Sequence, residues 1–386
     1  MTSTHPTAHF SDLTKPEDSN SLALIYDDPQ THLTYKARGA IYRALLSSRS
    51  GSAKTVLAPS FHCPTVIHPI LDAGLNVQYY RINADLSIDN QDLISQLSAT
   101  IAAVIVINYY GFEQEITEIK AVCDTLGIPI IDDWSHSFLK TAPLELTGKR
   151  AEFSVYSFWK LAPCHEGGGF RHDGNLVSAI EKNGITLSTT TKLKNIKHIV
   201  EYSINNMSDG IIKHGLQKLE QIRVNSRNKQ QSQIETNAPA ESSAYRAEME
   251  HYADKIPAIC SHILKRSNLA QISAIRRKNY EALAEQIAHH PAAKTLFPTL
   301  PKRCCPWAYP VLINNRSGYD HLIKKSGGVL FTFGEELHSS INKCSSTETI
   351  ETAQYLSKSL LSLSVHQNIT PQQINKTAMA IKTVLG

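Results

Sequence analysis

Between residues 36 and 131 the sequence alternates helix-like segments with short apolar runs, and few architectures fit this alternation. The clearest run is Ile101–Ile107, which is apolar throughout, as expected of a strand covered on both faces. Helix-like segments at Val66–Ala73 and Ile116–Leu126 lie on either side of this run, and each is followed by a glycine that can end a helix. Short strand–helix connections of this kind favour an α/β fold with a doubly wound, mainly parallel sheet.

The second half of the chain has a pattern of its own. With 386 residues, 41% of them hydrophobic, the chain can build two cores. Long helices are predicted over 256–287, and strands, a Gly327-Gly328 turn and a last helix at Pro371–Leu385 follow. We therefore predict a lead-in over residues 1–32, a large domain over 33–255 and a smaller C-terminal α/β domain over 256–386. Residues 224–243, rich in Gln, Asn and Ser, predict an exposed loop.

Composition argues against several classes of function. The formal net charge is +4 and the cations are dispersed, so no nucleic-acid surface is expected. The seven cysteines include no CxxC pair, and adjacent Cys304 and Cys305 suit neither a disulfide nor zinc, so we expect a reduced, cytoplasmic protein without a metal. Apolar runs of about eight residues are too short for a membrane span. No G-x-G-x-x-G motif follows the first strand, which disfavours a dinucleotide-binding enzyme.

Carboxylates and a histidine follow the predicted strand at Pro129–Ile131. In doubly wound sheets ligands bind beyond the carboxyl ends of strands, which is where Asp132, Asp133 and His136 fall. A carboxylate at such a place could keep the nitrogen of a bound pyridine ring protonated through a charge-assisted hydrogen bond. Helix capping or loop solvation by aspartate is the alternative reading.

Two further segments have residues suited to binding or catalysis. Lys160 lies among aromatic residues and precedes three glycines, an environment that can lower the pKa of a lysine and make it nucleophilic. A lysine that extends its charge to solvent beside a glycine turn is the alternative. Small residues with Arg38 and Gly39 at a predicted helix start could form an anion site, although many helices begin this way.

In their order and spacing these segments resemble the sugar-nucleotide aminotransferase family of the DegT/StrS type. The most specific parts are Lys-x5-Glu-Gly-Gly at Lys160 and strand-Asp-x-x-His at Asp133, 27 positions apart. Asn108 stands where the family has His in an H-x-Y/F-G turn. The matching stretches are 37–45, 58–65, 108–111, 131–136, 157–168 and 361–370. The resemblance implies the aspartate-aminotransferase-like architecture of pyridoxal 5'-phosphate (PLP) enzymes of fold type I.

The resemblance also implies roles for individual residues. Lys160 would form the Schiff base with PLP, Asp133 would pair with the pyridine nitrogen, and His136 would lie near the ring. The cofactor phosphate would be held by Arg38, Gly39 and Ser157. Either Phe61 or His62 would stack on the ring, and the sequence does not choose between them.

By the same resemblance the activity is PLP-dependent transfer of an amino group from an amino acid, with glutamate expected, to a keto-sugar nucleotide, in a homodimer. A PLP enzyme of another reaction type remains open, as does a small non-sugar acceptor. Trp134 stands where the family has a small residue, so we expect it to narrow the pocket. This residue and the weak resemblance over 180–250 favour the small acceptor. A PLP-binding regulator without turnover is a third possibility, against which the pair of Lys160 and Asp133 argues.

Overall fold

A seven-stranded sheet forms the centre of the larger part of the protein. The computed structural model describes residues 3–48, 52–172, 252, 254–344 and 346–386. The strands before residue 173 are β1 (Thr31–Thr34), β2 (Thr55–Pro59), β3 (Asn76–Tyr80), β4 (Ile101–Ile107), β5 (Ile130–Trp134), β6 (Leu139–Lys140), β7 (Glu145–Leu146), β8 (Phe153–Ser157) and β9 (Gly168–His172). β6 and β7 form a separate hairpin, and the others make up the large sheet.

The large sheet has the strand order β1-β9-β8-β5-β4-β2-β3. The neighbours β8, β5, β4, β2 and β3 run parallel, and β9 is antiparallel to both β8 and β1. Every residue of β4 is buried, as the apolar run predicted. The predicted doubly wound, mainly parallel sheet is confirmed. Because the central strands are parallel, the carboxyl ends of β4, β5 and β8 meet at one edge of the sheet.

Helices connect these strands and form much of the C-terminal half. Their bounds are α1 (Ala37–Ser47), α2 (Pro64–Asp72), α3 (Asn90–Ser95), α4 (Thr117–Leu126), α5 (Ala258–Lys265), α6 (Leu269–Ile287), α7 (Arg316–Lys325), α8 (Ile341–Cys344), α9 (Thr347–Ser359) and α10 (Pro371–Leu385), with short helical turns at Phe10–Leu13, Ser19–Ser21, Leu22–Tyr26, Tyr109–Gly111 and Phe158–Lys160. α10 begins with a capping box between Thr370 and Gln373, and α4 ends at Gly127 with φ of 65°. Among the described helices, none combines the length and apolarity that crossing a membrane requires.

A smaller antiparallel sheet lies in the C-terminal half. Its strands are β10 (Lys294–Thr295), β11 (Ala308–Leu312), β12 (Leu330–Phe331) and β13 (Leu360–Ser364), in the order β10-β11-β13-β12. A single hydrophobic cluster contains residues of both sheets, for example Val106 and Leu363. The small sheet falls in the predicted C-terminal domain, and the large sheet falls in the predicted large domain except that β1 begins two residues before it. The exact domain bounds stay predictions. The loop predicted over 224–243 lies outside the described residues.

The N-terminal residues are attached to the small sheet. Within the predicted lead-in over residues 1–32, the carbonyl of Thr4 accepts a hydrogen bond from Ser364 Oγ, at the end of β13 (2.9 Å). Further along, Ser21 Oγ donates to the carbonyl of Leu264 in α5 (2.6 Å). These contacts join the start of the chain to elements more than 240 residues away in sequence. The described part of the lead-in is therefore an integral part of the fold.

Candidate active site

Lys160 lies at the carboxyl end of β8, in the helical turn Phe158–Lys160. The guanidinium of Arg276, from α6, donates a hydrogen bond to the Lys160 carbonyl (2.7 Å) and so fixes this turn. The Lys160 amine lies 4.4 Å from the ring centre of Trp307 and 6.0 Å from that of Phe333. Burial lowers the pKa of Lys160 to about 8, while the carboxylate of Asp133 opposes the shift.

Asp132 and Asp133 end β5 with opposite orientations, because successive side chains of a strand point to opposite faces. Asp133 lines the same cavity as Lys160, and its Oδ1 accepts a hydrogen bond from the amide of Ser135 (2.7 Å). Burial raises the pKa of Asp133, and the charge on Lys160 counteracts part of this rise. Of the two aspartates, only Asp133 faces the cavity.

Asp132 is fully buried and is held by four donors. Arg150 donates to both of its oxygens, from Nε at 2.8 Å and from a terminal nitrogen at 3.1 Å. Asn108 Nδ2 and Trp134 Nε1 each donate at 2.7 Å. Trp134 is thereby held away from the cavity, so the narrowing of the pocket that we expected from this residue is not found. This network fixes the end of β5 next to Asp133.

His136 lies on the cavity wall as a neutral imidazole. Its Nδ1 accepts a hydrogen bond from the Tyr110 amide (3.0 Å), so the ring proton is on Nε2. Burial keeps the pKa of His136 well below its usual value, and the nearby charge of Lys160 adds to this. The imidazole is 4.2 Å from the Trp307 ring and 4.5 Å from the Phe333 ring, measured between centroids.

The cavity between the strand ends and α1 has a volume of about 620 Å³. Of the predicted phosphate-binding residues, Arg38 and Ser157 line it, whereas Gly39 does not. The Gly39 amide already donates to the Lys36 carbonyl (3.0 Å). A Cβ on Gly39 would lie 3.0 Å from the carbonyl oxygen of Tyr252, so this glycine permits close packing of the helix start. The structure thus brings five predicted residues to one cavity: Arg38, Asp133, His136, Ser157 and Lys160.

The predicted ring-stacking residues, Phe61 and His62, are both fully buried outside the cavity lining. Phe61 packs against Tyr109 and Phe333. His62 Nε2 accepts a hydrogen bond from the His338 amide (3.1 Å), and burial lowers the pKa of His62 to about 4. The wall position that we assigned to them is occupied by the next residue, Cys63, because the chain turns into α2 there.

Aromatic residues distant in sequence complete the cavity and were missed by sequence analysis. Trp307 precedes β11, and Phe331 and Phe333 lie at and just after β12. His5, from the N-terminal segment, also lines the cavity. No motif around these residues marks them, and they reach the site only through packing of the small sheet. Within the described ranges, no group of His, Cys, Asp and Glu residues forms a metal site.

Comparisons with known proteins show the family to which this chain belongs. Residues 36–382 match the model of the DegT/DnrJ/EryC1/StrS aminotransferase family. A UDP-4-amino-4,6-dideoxy-N-acetyl-beta-L-altrosamine transaminase of Campylobacter jejuni serotype O:2 is 28% identical over 207 residues, which are 50% of this chain and 52% of that protein. A protein of the same name from serotype O:23/36 is 30% identical over 39% of each chain. The match thus spans about half, or less, of the length of these curated relatives.

Solved structures show a similar fold. Helicobacter pylori PseC, an aminotransferase of pseudaminic acid biosynthesis, superposes with a TM-score of 0.68 at 13% identity, over 99% of this chain and 98% of that one. Spr1654 of Streptococcus pneumoniae, solved in PLP and PMP forms, gives a TM-score of 0.68 at 13% identity, over 100% and 98%. The aspartate-aminotransferase-like fold that we expected is confirmed.

Proposed function

Because this chain belongs to the DegT/DnrJ/EryC1/StrS aminotransferase family, we propose that it is a PLP-dependent aminotransferase. The amino group would pass from an amino acid, with glutamate the expected donor, to the carbonyl carbon of a keto-sugar nucleotide. The two Campylobacter relatives are named as transaminases of a UDP-linked amino sugar, which supports the class of acceptor. The PLP and PMP forms of Spr1654 support the cofactor.

One observation carries the proposal: Lys160 and Asp133 come from the ends of two neighbouring strands and line the same cavity. Each affects the pKa of the other, so their charged groups are within electrostatic range. A nucleophilic amine and a carboxylate placed across one cavity are the two groups that a protonated pyridine aldehyde requires. Had β8 and β5 ended on different faces of the molecule, this chemistry would have no support.

The residues present fit PLP. The start of α1 with Arg38 and the side chain of Ser157 would hold the phosphate, because a helix N-terminus and a guanidinium both favour an anion. β9 is packed so closely on this helix start that a Cβ on Gly168 would lie 2.4 Å from the Ala37 nitrogen. Asp133 would accept a hydrogen bond from the protonated ring nitrogen, and His136 and Cys63 would flank the ring.

PLP, when bound, supplies an aldehyde that reacts with amines and a ring that withdraws electrons from the donor's α-carbon. Lys160 would have two tasks in this scheme: its amine would hold the cofactor, and the free amine would act as the base for the proton on the donor's α-carbon. Both tasks need the neutral amine. With a pKa of about 8, roughly a tenth of Lys160 is neutral at pH 7, far more than for an ordinary lysine.

The surrounding residues support proton transfer at Lys160. The rings of Trp307 and Phe333 border the amine and shield it in part from water, which favours its neutral form. The carboxylate of Asp133 opposes this lowering of the Lys160 pKa, so that the amine can still accept a proton and release it again. His136 offers an Nε2–H donor without adding a positive charge that would compete with the lysine.

The experiment compares Lys160→Ala with Lys149→Ala, an exposed lysine outside the cavity that serves as the matched control. The purified proteins are incubated with PLP, reduced with borohydride and digested for mass spectrometry. We expect the cofactor on the peptide that contains residue 160 in the wild type and the control, and neither labelling nor turnover in Lys160→Ala. An active Lys160→Ala variant would contradict the proposal.

The reaction type needs a separate measurement. Release of a keto acid from a panel of amino acids, with and without keto-sugar nucleotides, distinguishes transfer from other PLP chemistry. We expect release in amounts equal to the protein without an acceptor and continued release with one. Release of ammonia or carbon dioxide in its place would favour a different PLP reaction, and turnover with small aldehydes alone would favour the non-sugar acceptor.

Two further expectations concern the oligomeric state and the location of the protein. By family resemblance the enzyme is a homodimer, which sedimentation velocity measures directly. A cytoplasmic location stays a prediction from the pattern of cysteines.

A further inference from the structure

The segment Ser3–Ala8, which we call the N-terminal strap, forms part of the cavity wall. It is anchored at three points to β13 and the turn after it. Ser364 Oγ donates to the Thr4 carbonyl (2.9 Å), and His366 Nε2 lies 3.0 Å from the Ser3 carbonyl oxygen. The Thr7 amide donates to Asn368 Oδ1 (3.2 Å). These bonds hold the strap in one position along the small sheet.

His5 is the strap residue with ring contacts to the aromatic wall. Its imidazole centroid lies 4.6 Å from that of Phe331 and 5.1 Å from that of Trp159, which it meets edge to face. It lies parallel to the Trp307 ring, within 4°, at 6.3 Å. The same Trp307 ring is contacted by the Lys160 amine at 4.4 Å. His5 therefore fills the wall next to the reactive lysine.

The imidazole of His5 adds no charge to the cavity near neutral pH. Burial lowers the pKa of His5 to about 4, and the positive charges of Lys160 and Arg276 contribute to this. A neutral ring excludes water without repelling an ammonium group. The imidazole would gain a charge only below about pH 4. Near neutral pH, His5 therefore affects the pKa of Lys160 by keeping water from its amine.

We propose that the N-terminal strap is a fixed part of the active site, and that His5 is a positioning residue that keeps water from the Lys160 amine. The inference rests on the proposed function only for its consequence in catalysis. The groups that act on the pKa of Lys160 from the other walls are Asp133 on β5 and Cys63 before α2. Other ionisable groups that line the cavity are Lys36, Arg38, His136, His165 and Glu166. With His5 removed, water enters while the attraction of Asp133 remains, so the lysine holds its proton more tightly.

The test measures protonation of Lys160 in the cofactor-free protein. Competitive labelling with acetic anhydride over pH 6–11, followed by peptide mass spectrometry, gives the pKa of this one amine. We expect a value of about 8 in the wild type. In His5→Ala we expect a rise of about one unit, which lowers the neutral fraction at pH 7 about 10-fold. His5→Phe, which keeps a ring in the wall, should retain the wild-type value.

Controls separate this effect from general disturbance of the N-terminus. Phe10→Ala changes an aromatic residue of the same region that is 47% exposed and outside the cavity, and it should leave the profile unchanged. Ser364→Ala removes one anchor of the strap and should shift the profile in the same direction as His5→Ala. Superimposable profiles for His5→Ala and the wild type would overturn the proposal, and so would an equal shift in His5→Phe.

The outcome is independent of the proposed function. If PLP failed to attach to Lys160, the aminotransferase proposal would fall, but the labelling profiles would still decide the role of His5. If the enzyme is active, the acidic limb of its kcat/KM profile should move to higher pH in His5→Ala and not in His5→Phe. Unchanged labelling with normal transamination would leave the function standing and refute the role of His5.

Discussion

Removing the Arg150 guanidinium should lower the free energy of unfolding, because Arg150 neutralises the carboxylate of Asp132, which has no access to water. Two of its nitrogens contact the two oxygens of Asp132, which is 0% exposed. The guanidinium also donates to Asn108 Oδ1 (3.0 Å) and to the Gln114 carbonyl (2.5 Å). Arg150→Met keeps a long apolar stem but removes the charge and every one of these bonds.

The magnitude follows from what remains around Asp132. In Arg150→Met the carboxylate keeps the donors Asn108 Nδ2 and Trp134 Nε1, but no cation contacts it. Removing one partner of a buried ion pair costs about 3–5 kcal/mol, because the other charge stays buried and uncompensated. Asp132→Asn combined with Arg150→Met removes that charge, so the double variant should be more stable than Arg150→Met alone.

The assay is urea unfolding of the cofactor-free proteins at pH 7, followed by circular dichroism. Lys120→Met is the matched control: Lys120 pairs with Asp124 and Glu152 near the surface, where such pairs are worth up to about 1 kcal/mol. A loss below about 1 kcal/mol for Arg150→Met would refute the reasoning. The reasoning would also fail if the costs of Asp132→Asn and Arg150→Met simply added up in the double variant.

Two further predictions concern stability. The unfolding free energy of the wild type relative to Lys160→Met should rise between about pH 8 and pH 10.5, because the folded state then binds fewer protons at Lys160 than the unfolded state. The full pKa shift of Lys160 corresponds to about 3 kcal/mol, and solvent screening reduces this figure because the side chain is partly exposed. Urea titrations over a pH series measure it, and parallel stability curves for the wild type and Lys160→Met would contradict the prediction. Gly168→Ala should cost about 1–3 kcal/mol and weaken PLP binding, because the added Cβ would lie 2.4 Å from backbone atoms of Lys36 and Ala37. Gly127→Ala, with open space around it, should cost only about 1 kcal/mol for its left-handed backbone and leave PLP binding unchanged; equal losses in both variants by calorimetry and absorbance would refute the clash.

Elements with strong local signals were predicted closely. β4 matches the apolar run Ile101–Ile107, and α10 matches Pro371–Leu385, which has a proline at its first turn and a capping residue before it. β8, β9 and α7 were not predicted. β9 contains two glycines, and α7 buries only Arg316 and Ile323 among its residues, so neither has a clear hydrophobic period.

The residues of the site also differ in how well the sequence predicted them. Lys160 follows β8, Asp133 lies near the end of β5 and His136 follows it, and the carboxyl ends of these strands share one edge of the sheet. The family resemblance predicted that these three residues share one site, and they line the same cavity. Phe61 and His62, the predicted stacking residues, do not line the cavity, whereas Cys63 does. The direction of a side chain at a strand–helix turn depends on backbone angles that the sequence pattern does not reveal.

The amino-acid sequence by itself predicted the mainly parallel sheet, because that fold follows from local periodicity and short connections. Lys160 and Asp133 were singled out by the resemblance of their segments to the aminotransferase family. Only the tertiary structure decided what surrounds the Lys160 amine. Trp307 and His5 lie 147 and 155 positions from Lys160, on opposite sides of it in the chain. They reach the amine because the small sheet packs against the large one, which brings β11, β12 and the N-terminal strap over the cavity. This packing joins segments far apart in the chain, so the sequence of one segment does not predict it.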